Sequence, residues 1–476
     1  MEIEFENIGF IKKGKIETNN ITIIFGPNNV GKTYLSYSTY AAISKYNTVL
    51  KNKIKVPKSV SIDLVTTGKS SYDISNVFTE ELIKSVNEEV SSSLPAFFKD
   101  VAGMFSKSKI NVIDSYIQTR VLAAEVNVNI SVAENIVLNI QKKNNSTCID
   151  FSVASSKKES KDRNPIGALK EKEALNYLNL LFNYFFINEI LDSSANEPFI
   201  ITSERTGISL FQKEIDGNRS NIVDSYITSK ISKTILSLDD IVSQKVATFS
   251  EPINHNVNVI RDFTDIRKFK NLIDMNKMRR GSRKDKSKND IINTLESLTG
   301  GKYEHRNDEA IFTVNCKNGE KVSMPLSLSS ASNKALFLLD IYVRYYMSPN
   351  SYLIIDEPEL NLHPQNQIKM AELLVRMSNF GVKIIITTHS DYIVKEINNR
   401  IMASQIKNRE KLSHFNYSTI DLVSPLDVNA FTISEDGIIH NAGGNKFGVN
   451  AFIFDNVITD IDEKQNLLYS CLEEEV

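Results

Sequence analysis

A chain of 476 residues, 41% of them hydrophobic and 24% charged, can bury a sizeable core and exceeds the usual span of one compact domain, so two lobes are expected. Its 56 Lys and Arg against 58 Asp and Glu leave a formal net charge of −2, which excludes a globally basic, DNA-coating protein and leaves room only for a local basic groove. Cys148, Cys316 and Cys471 lie too far apart for a disulfide framework or a C-x-x-C zinc site, and the acidic N-terminus precedes no apolar run of ~18 residues, so a soluble, unprocessed, cytoplasmic chain without a membrane span is expected.

Residues 2–9 and 21–25 are predicted as strands, the second almost wholly apolar, as a central strand covered on both faces requires. A glycine-rich turn and a helix from about Gly31 to Tyr46 follow. The segment from Asn47 to Lys321 differs in character: 75–122 reads largely as helix, 127–132 and 148–153 as strands, and 168–191 as a long helix, apolar almost all round from Tyr177 onward. Asn176, Asn179, Asn183 and Asn188 interrupt that helix, which favours a buried or dimer-facing position over a membrane span. Without sustained heptads the segment is a folded insertion and not a coiled-coil arm. A basic stretch contains Arg267, Lys268, Lys270, Lys277, Arg279, Arg280, Arg283, Lys284, Lys286 and Lys288; it reads either as a solvated loop or as a contact for nucleic acid or an acidic partner. Beyond it the spacing predicts a helix over 335–346, a strand over 352–355, a helix over 365–377, a strand over 382–388 and a helix from Asp391. Such alternation implies a mostly parallel sheet with right-handed crossovers. The C-terminus offers short strands at 431–433 and 437–440 across an Asp436-Gly437 turn, then an amphipathic helix from about Asn450.

Gly26-Pro27-Asn28-Asn29-Val30-Gly31-Lys32-Thr33 matches the G-x-x-x-x-G-K-[ST] loop, directly after a buried strand and before a helix. Backbone N–H groups of such a turn converge on phosphate oxygens, which needs glycine where a side chain would collide. Lys32 then reaches the β- and γ-phosphates as a point charge, and the Thr33 hydroxyl ligates Mg2+. Leu353-Ile354-Ile355-Asp356-Glu357-Pro358 supplies the second half. Side chains alternate at a strand end, so Asp356 is expected to hold Mg2+ and Glu357 to orient or deprotonate the attacking water. ATP and Mg2+ are therefore the expected ligands.

Asp356-Glu357-Pro358-Glu359-Leu360-Asn361-Leu362-His363-Pro364 resembles the Walker B and D-loop of the RecF-like and OLD-like ABC ATPases, a soluble branch related to the SMC group. Thr387-Thr388-His389-Ser390 resembles that branch's switch motif, which implies that His389 contacts the γ-phosphate. The resemblance covers roughly 1–46 and 321–400, and only weakly the middle. Leu328-Ser329-Ser330-Ala331-Ser332-Asn333-Lys334 stands where the family places the signature that completes a partner subunit's site, with Ala331 in place of the expected glycine. Ser329 and Ser330 either help to bind a phosphate across a dimer or form an ordinary serine-rich helix cap, and the departure implies slow hydrolysis or a gating role. Ile200 to Gly207 resembles a strand-plus-arginine element of the same branch, with Arg205 facing the nucleotide or the insertion, or else held in a buried salt bridge. No Q-loop glutamine is identifiable.

The fold class implied is α/β: a P-loop ABC-ATPase head formed by both chain ends, 1–46 and 321–405, with a large mostly helical insertion at 47–320 and a C-terminal extension at 406–476. The resemblance implies a homodimer, or higher homo-oligomer, in which Lys32, Thr33, Asp356 and Glu357 of one copy and Ser329 and Ser330 of another enclose ATP and Mg2+. Stand-alone members of the branch serve prokaryotic antiphage defence beside a separate effector, as in Septu and PARIS. A sensor or scaffold ATPase that controls a nuclease-type partner is the expectation that follows. A RecF-like DNA-repair ATPase that contacts DNA directly and a transporter nucleotide-binding subunit are the alternatives.

Overall fold

The computed structural model describes residues 1–155, 198–211, 249–270 and 285–474, together with Asn176 and Asn179, with breaks at 76, 116, 134–135, 266, 317–318, 409, 411, 413 and 451. The long helix expected over 168–191 and the centre of the basic stretch, Lys277 to Lys284, lie outside the described residues. The chain divides into two compact units, one of Met1–Glu6, Ala41–Leu94 and Ser108–Glu197, the other of Asn7–Tyr40, Pro95–Lys107 and Pro198–Val476. Among the described residues no helix is long and apolar enough to cross a membrane.

In chain order, β1 (Glu2–Ile8), β2 (Ile11–Glu17) and β3 (Ile21–Phe25) lead into α1 (Lys32–Lys53), followed by α2 (Lys58–Thr67), β4 (Lys69–Asp73), α3 (Glu80–Ser92) and α4 (Leu94–Phe98). Next come β5 (Lys109–Ile113), α5 (Ile117–Ala123), β6 (Val126–Ala133), β7 (Ile136–Lys142) and β8 (Cys148–Ser155). In the first unit β4, β8, β7 and β6 form an antiparallel sheet in that order. The 75–122 segment, read as largely helical, contains β5, which buries Ile110 and Val112 and turns Lys109, Asn111 and Ile113 outward, the period-two pattern of a strand. It pairs antiparallel with β1, Glu2 opposite Ile113. Side chains of α3 bond its backbone as well: Asn87 Oδ1 accepts from Val112 N–H at 3.1 Å and Ser91 Oγ from Ile110 N–H at 2.9 Å. A helix thereby satisfies backbone groups that an open strand edge would leave bare.

The second unit continues with β9 (Phe199–Ile201), α6 (Glu251–Thr264), α7 (Asp285–Thr299), β10 (Lys302–Arg306), β11 (Glu309–Asn315), β12 (Lys321–Pro325) and α8 (Ala331–Ile341). After these come β13 (Tyr352–Asp356), α9 (Pro364–Asn379), β14 (Lys383–Thr388), α10 (Asp391–Ser404), β15 (Val428–Ile433), β16 (Ile439–Asn441) and α11 (Phe452–Glu474). Its main sheet runs β16-β15-β3-β14-β13-β9, parallel throughout except for β16. All five residues of β3 are buried, as are Leu353 to Asp356 and Ile384 to Thr388, so the apolar runs are explained by cover on both faces. Leu338, Leu374, Ile386 and Ile397 belong to one buried core cluster that joins this sheet to α8, α9 and α10. The register sets Asp356 beside Thr387 and Thr388 beside Phe25, so three strands end together, the place where ligands bind in open α/β sheets.

Three strands of this sheet, β9, β15 and β16, come from segments the sequence placed outside the head. β9 lies within 47–320, and β15, beyond residue 405, pairs along the whole of β3. Asn256 of α6 anchors the exit of β9: its Nδ2 donates to Ile200 O at 2.6 Å and its Oδ1 accepts from Thr202 N–H at 2.9 Å.

Candidate active site

The loop after β3 needs its glycines. Gly31 has φ +101°, and a Cβ there would come 3.2 Å from Ile11 Cγ1; Gly26, at φ +151°, would meet Ile433 O at 3.2 Å. Lys32 opens α1 and folds back on the loop, donating from Nζ to Gly26 O at 3.0 Å and to Pro27 O. Burial lowers its pKa, while Glu357, Asp356 and Glu359 oppose that shift by their charge.

Asp356, at the buried end of β13, accepts from Thr33 Oγ1 at 3.0 Å through Oδ2 and from the Thr387 hydroxyl through Oδ1. Burial raises its pKa and the two hydroxyls hold it down. Thr33 and Asp356 thus place two hard oxygen donors together beside Lys32, a donor set that suits Mg2+. Among the described residues no three His, Cys, Asp or Glu side chains form a complete metal cage.

Glu357 follows in the left-handed region, φ +53°, with its N–H on Thr387 O at 3.1 Å and on Thr387 Oγ1 at 3.2 Å. Its carboxylate stands 3.8 Å from His389 Nε2, both side chains one-third exposed. Burial, aided by the Lys32 charge, lowers the His389 pKa, so the ring is neutral near pH 7. A third carboxylate, which sequence reasoning left without a role, holds this segment in place: Glu359 accepts from His389 N–H at 2.6 Å and from Thr388 Oγ1 at 2.9 Å. Its signal was present as the second acid of Glu357-Pro358-Glu359, but only the fold shows what it grips.

Asn28, Asn29, Gly31, Lys32 and Thr33 line one cavity of about 850 Å³ together with Asp356, Glu357 and His389. Glu204 also lines it and accepts from Tyr37 Oη at 2.8 Å. One wall is aromatic: Phe98 stacks on Phe105 with centroids 4.0 Å apart and planes 7° apart, and Tyr34 stands edge-on to both at 6.2 and 5.6 Å. Phe10, 60% exposed, completes that wall.

The signature serines lie elsewhere. Ser330 caps α8 by accepting from Asn333 N–H at 3.3 Å, and buried Ser329 donates to Leu326 O at 2.7 Å; neither lines the cavity. Within one chain Ser330 serves as a helix cap. Arg205 is buried, and among the described residues its guanidinium bonds to backbone carbonyls, those of Thr202, Ala335, Asp356 and Glu357. Of the basic stretch, Lys268 pairs with Asp262 at 2.6 Å on the surface.

The family model described as AAA ATPase domain matches residues 1–394. No curated protein matches the chain. Among solved structures, it is similar to the Smc head domain with an extended coiled coil bound to the C-terminal domain of ScpA from Pyrococcus furiosus, at 12% identity and TM-score 0.32, over 97% of this chain and 98% of that one. The SMC head domain from Thermotoga maritima is similar at 12% identity and TM-score 0.28, over 93% and 98% of the two chains. The recombination mediator protein RecF-ATPrS of the RecFOR pathway is similar at 14% identity and TM-score 0.29, over 93% and 97%. The α/β P-loop head anticipated from the motifs is the fold observed.

Proposed function

The chain belongs to the AAA ATPase domain family, and from that premise we propose that it is an ATP hydrolase whose nucleotide state is read by other proteins. One observation carries the proposal: Lys32, Thr33, Asp356, Glu357 and His389 meet in a single cavity at the carboxyl ends of β3, β13 and β14. The triphosphate accepts from the backbone N–H groups at the start of α1, and Lys32 Nζ turns from the loop carbonyls to its oxygens. Thr33 and Asp356 would hold Mg2+, which when bound offsets phosphate charge. Glu357 orients a water and takes its proton while the water oxygen bonds to the γ-phosphorus and the bond to the β–γ bridging oxygen breaks, leaving ADP and phosphate. Neutral His389 offers an N–H to the γ-phosphate. The aromatic wall receives the base.

Glu357→Gln keeps the shape and removes the base. It is expected to bind ATP normally and to lose turnover by about 10²–10⁴-fold, as measured by phosphate release. Undiminished hydrolysis would show that the base is another residue.

The finer reading is an ATP-gated sensor or scaffold in antiphage defence that dimerises through its heads, with Ser329 and Ser330 facing a second copy's nucleotide, and that restrains a separate nuclease-type effector. It is supported by the resemblance of Asp356 to Pro364 and Thr387 to Ser390. Co-purification with the product of the neighbouring reading frame tests it: a nuclease supports it and a permease removes it. ATP-dependent DNA binding by the isolated protein would favour the RecF-like alternative.

A further inference from the structure

We propose that Arg205 is a positioning residue that fixes the backbone of Glu357 and couples it to the N-terminal half of α8, the helix capped by Ser330; this rests on the assignment of Glu357 as the hydrolytic base. The segment after β9 is pinned before Arg205 is reached. Thr202 gives both its N–H and its hydroxyl to Asn256 Oδ1, at 2.9 and 3.1 Å, and Arg205 N–H returns to Thr202 O at 3.2 Å. The side chain then enters the core, 2% exposed, and spreads its fork over four carbonyls. Nη1 donates to Thr202 O at 3.0 Å and to Asp356 O at 2.8 Å, Nη2 to Glu357 O at 2.5 Å, and Nε to Ala335 O at 3.1 Å.

Two of these carbonyls belong to the acidic pair itself. Glu357 sits at φ +53°, a region that a residue with a Cβ keeps only when its surroundings over-determine it. Its N–H is held by Thr387, and its C=O by Arg205 and by Leu360 N–H at 3.0 Å. Because the backbone torsions aim the side chain, release of the carbonyl lets Glu357 leave the left-handed region and swings its carboxylate out of the cavity. Burial lowers the pKa of the guanidinium to about 10, and the charges of Asp356, Glu359 and Glu357 oppose that shift.

The fourth carbonyl makes the link. Ala335 is the fifth residue of α8, just past the first turn that follows the Ser330 cap, and the neighbouring Lys334 O accepts from Ser209 at 3.3 Å. A displacement of the α8 N-terminus therefore pulls on the same rigid fork that holds Glu357. Lysine offers three donors on one nitrogen and cannot span these carbonyls in a plane.

The test is Arg205→Lys in the full chain, with Arg205→Gln as a second variant that keeps planar donors and loses the charge. ATP affinity, read by a fluorescent ATP analogue, is expected to stay within about twofold while kcat falls about a hundredfold, the consequence of a misplaced base. A residue that only supports the fold would shift the melting temperature and ATP affinity together, and that result overturns the proposal. In the Glu357→Gln background Arg205→Lys is expected to lower the residual rate no further. A further drop by the wild-type factor would show that Arg205 does not act through Glu357. Hydrogen exchange of the unmutated chain needs no variant to fold: ATP is expected to protect peptides 331–337 and 356–361 together, and protection of one without the other overturns the link. Loss of ATP binding by the wild type, or full hydrolysis by Glu357→Gln, would instead remove the underlying assignment.

Discussion

His255 packs in α6 against Phe199 and Tyr40, at ring-centroid distances of 4.8 and 5.9 Å, and its Nε2 has no hydrogen-bond partner among the described residues. Burial brings its pKa down to about 4. An unfolded chain takes up this proton as the pH falls through ~6.5, while the folded chain resists until about 4, so stability is intact above the upper value and is lost across the window. The loss amounts to about 3 kcal/mol. His255→Phe should flatten the fall of the calorimetric melting temperature between neutral pH and pH 4.5, and an unchanged slope would place the acid sensitivity elsewhere. The residues proposed to bind phosphate were legible because their chemistry fixes their spacing: Gly26, Gly31, Lys32 and Thr33 must follow one another on one turn. Glu359 and Arg205 were not legible in their roles, because each acts on backbone groups that are near it only after folding.

The elements show the same division. β3, β13 and β14 are apolar runs long enough to announce buried strands. β9 has three residues and shows no period, and β5 is flanked by helical patterns that masked its alternation. The hairpin of β10 and β11 turns on Asn307 and Asp308, both left-handed at φ +52° and +56°, residue types that suit a two-residue turn. The segment 95–107 is the element with most to say about ligand choice, since Phe98 and Phe105 bring rings to the phosphate cavity from far along the chain. Phe98→Leu should raise the Km for ATP roughly tenfold through lost base stacking and leave the affinity for inorganic tripolyphosphate unaltered. Equal loss for both ligands would mean that the ring shapes the cavity and does not touch the base.

At the scale of the molecule, the head's sheet ignores the division into ends, insertion and extension that the motifs suggested. β15 covers one side of β3 in five register pairs, so removal of 406–476 leaves the strand that carries the phosphate loop as a bare edge. Such a truncation should be aggregated on size-exclusion chromatography and unable to bind ATP; a monodisperse, ATP-binding product would make the segment a detachable extension after all. The placement of β15 also sets a clock on synthesis. About 400 residues separate Phe25 from Val428, and at ~5–20 residues per second the ribosome needs roughly 20–80 s to deliver the neighbour that β3 awaits. For that interval β3 is an unfinished edge, so the nascent chain is expected to complete the strand that carries its proposed phosphate loop only once β15 has emerged.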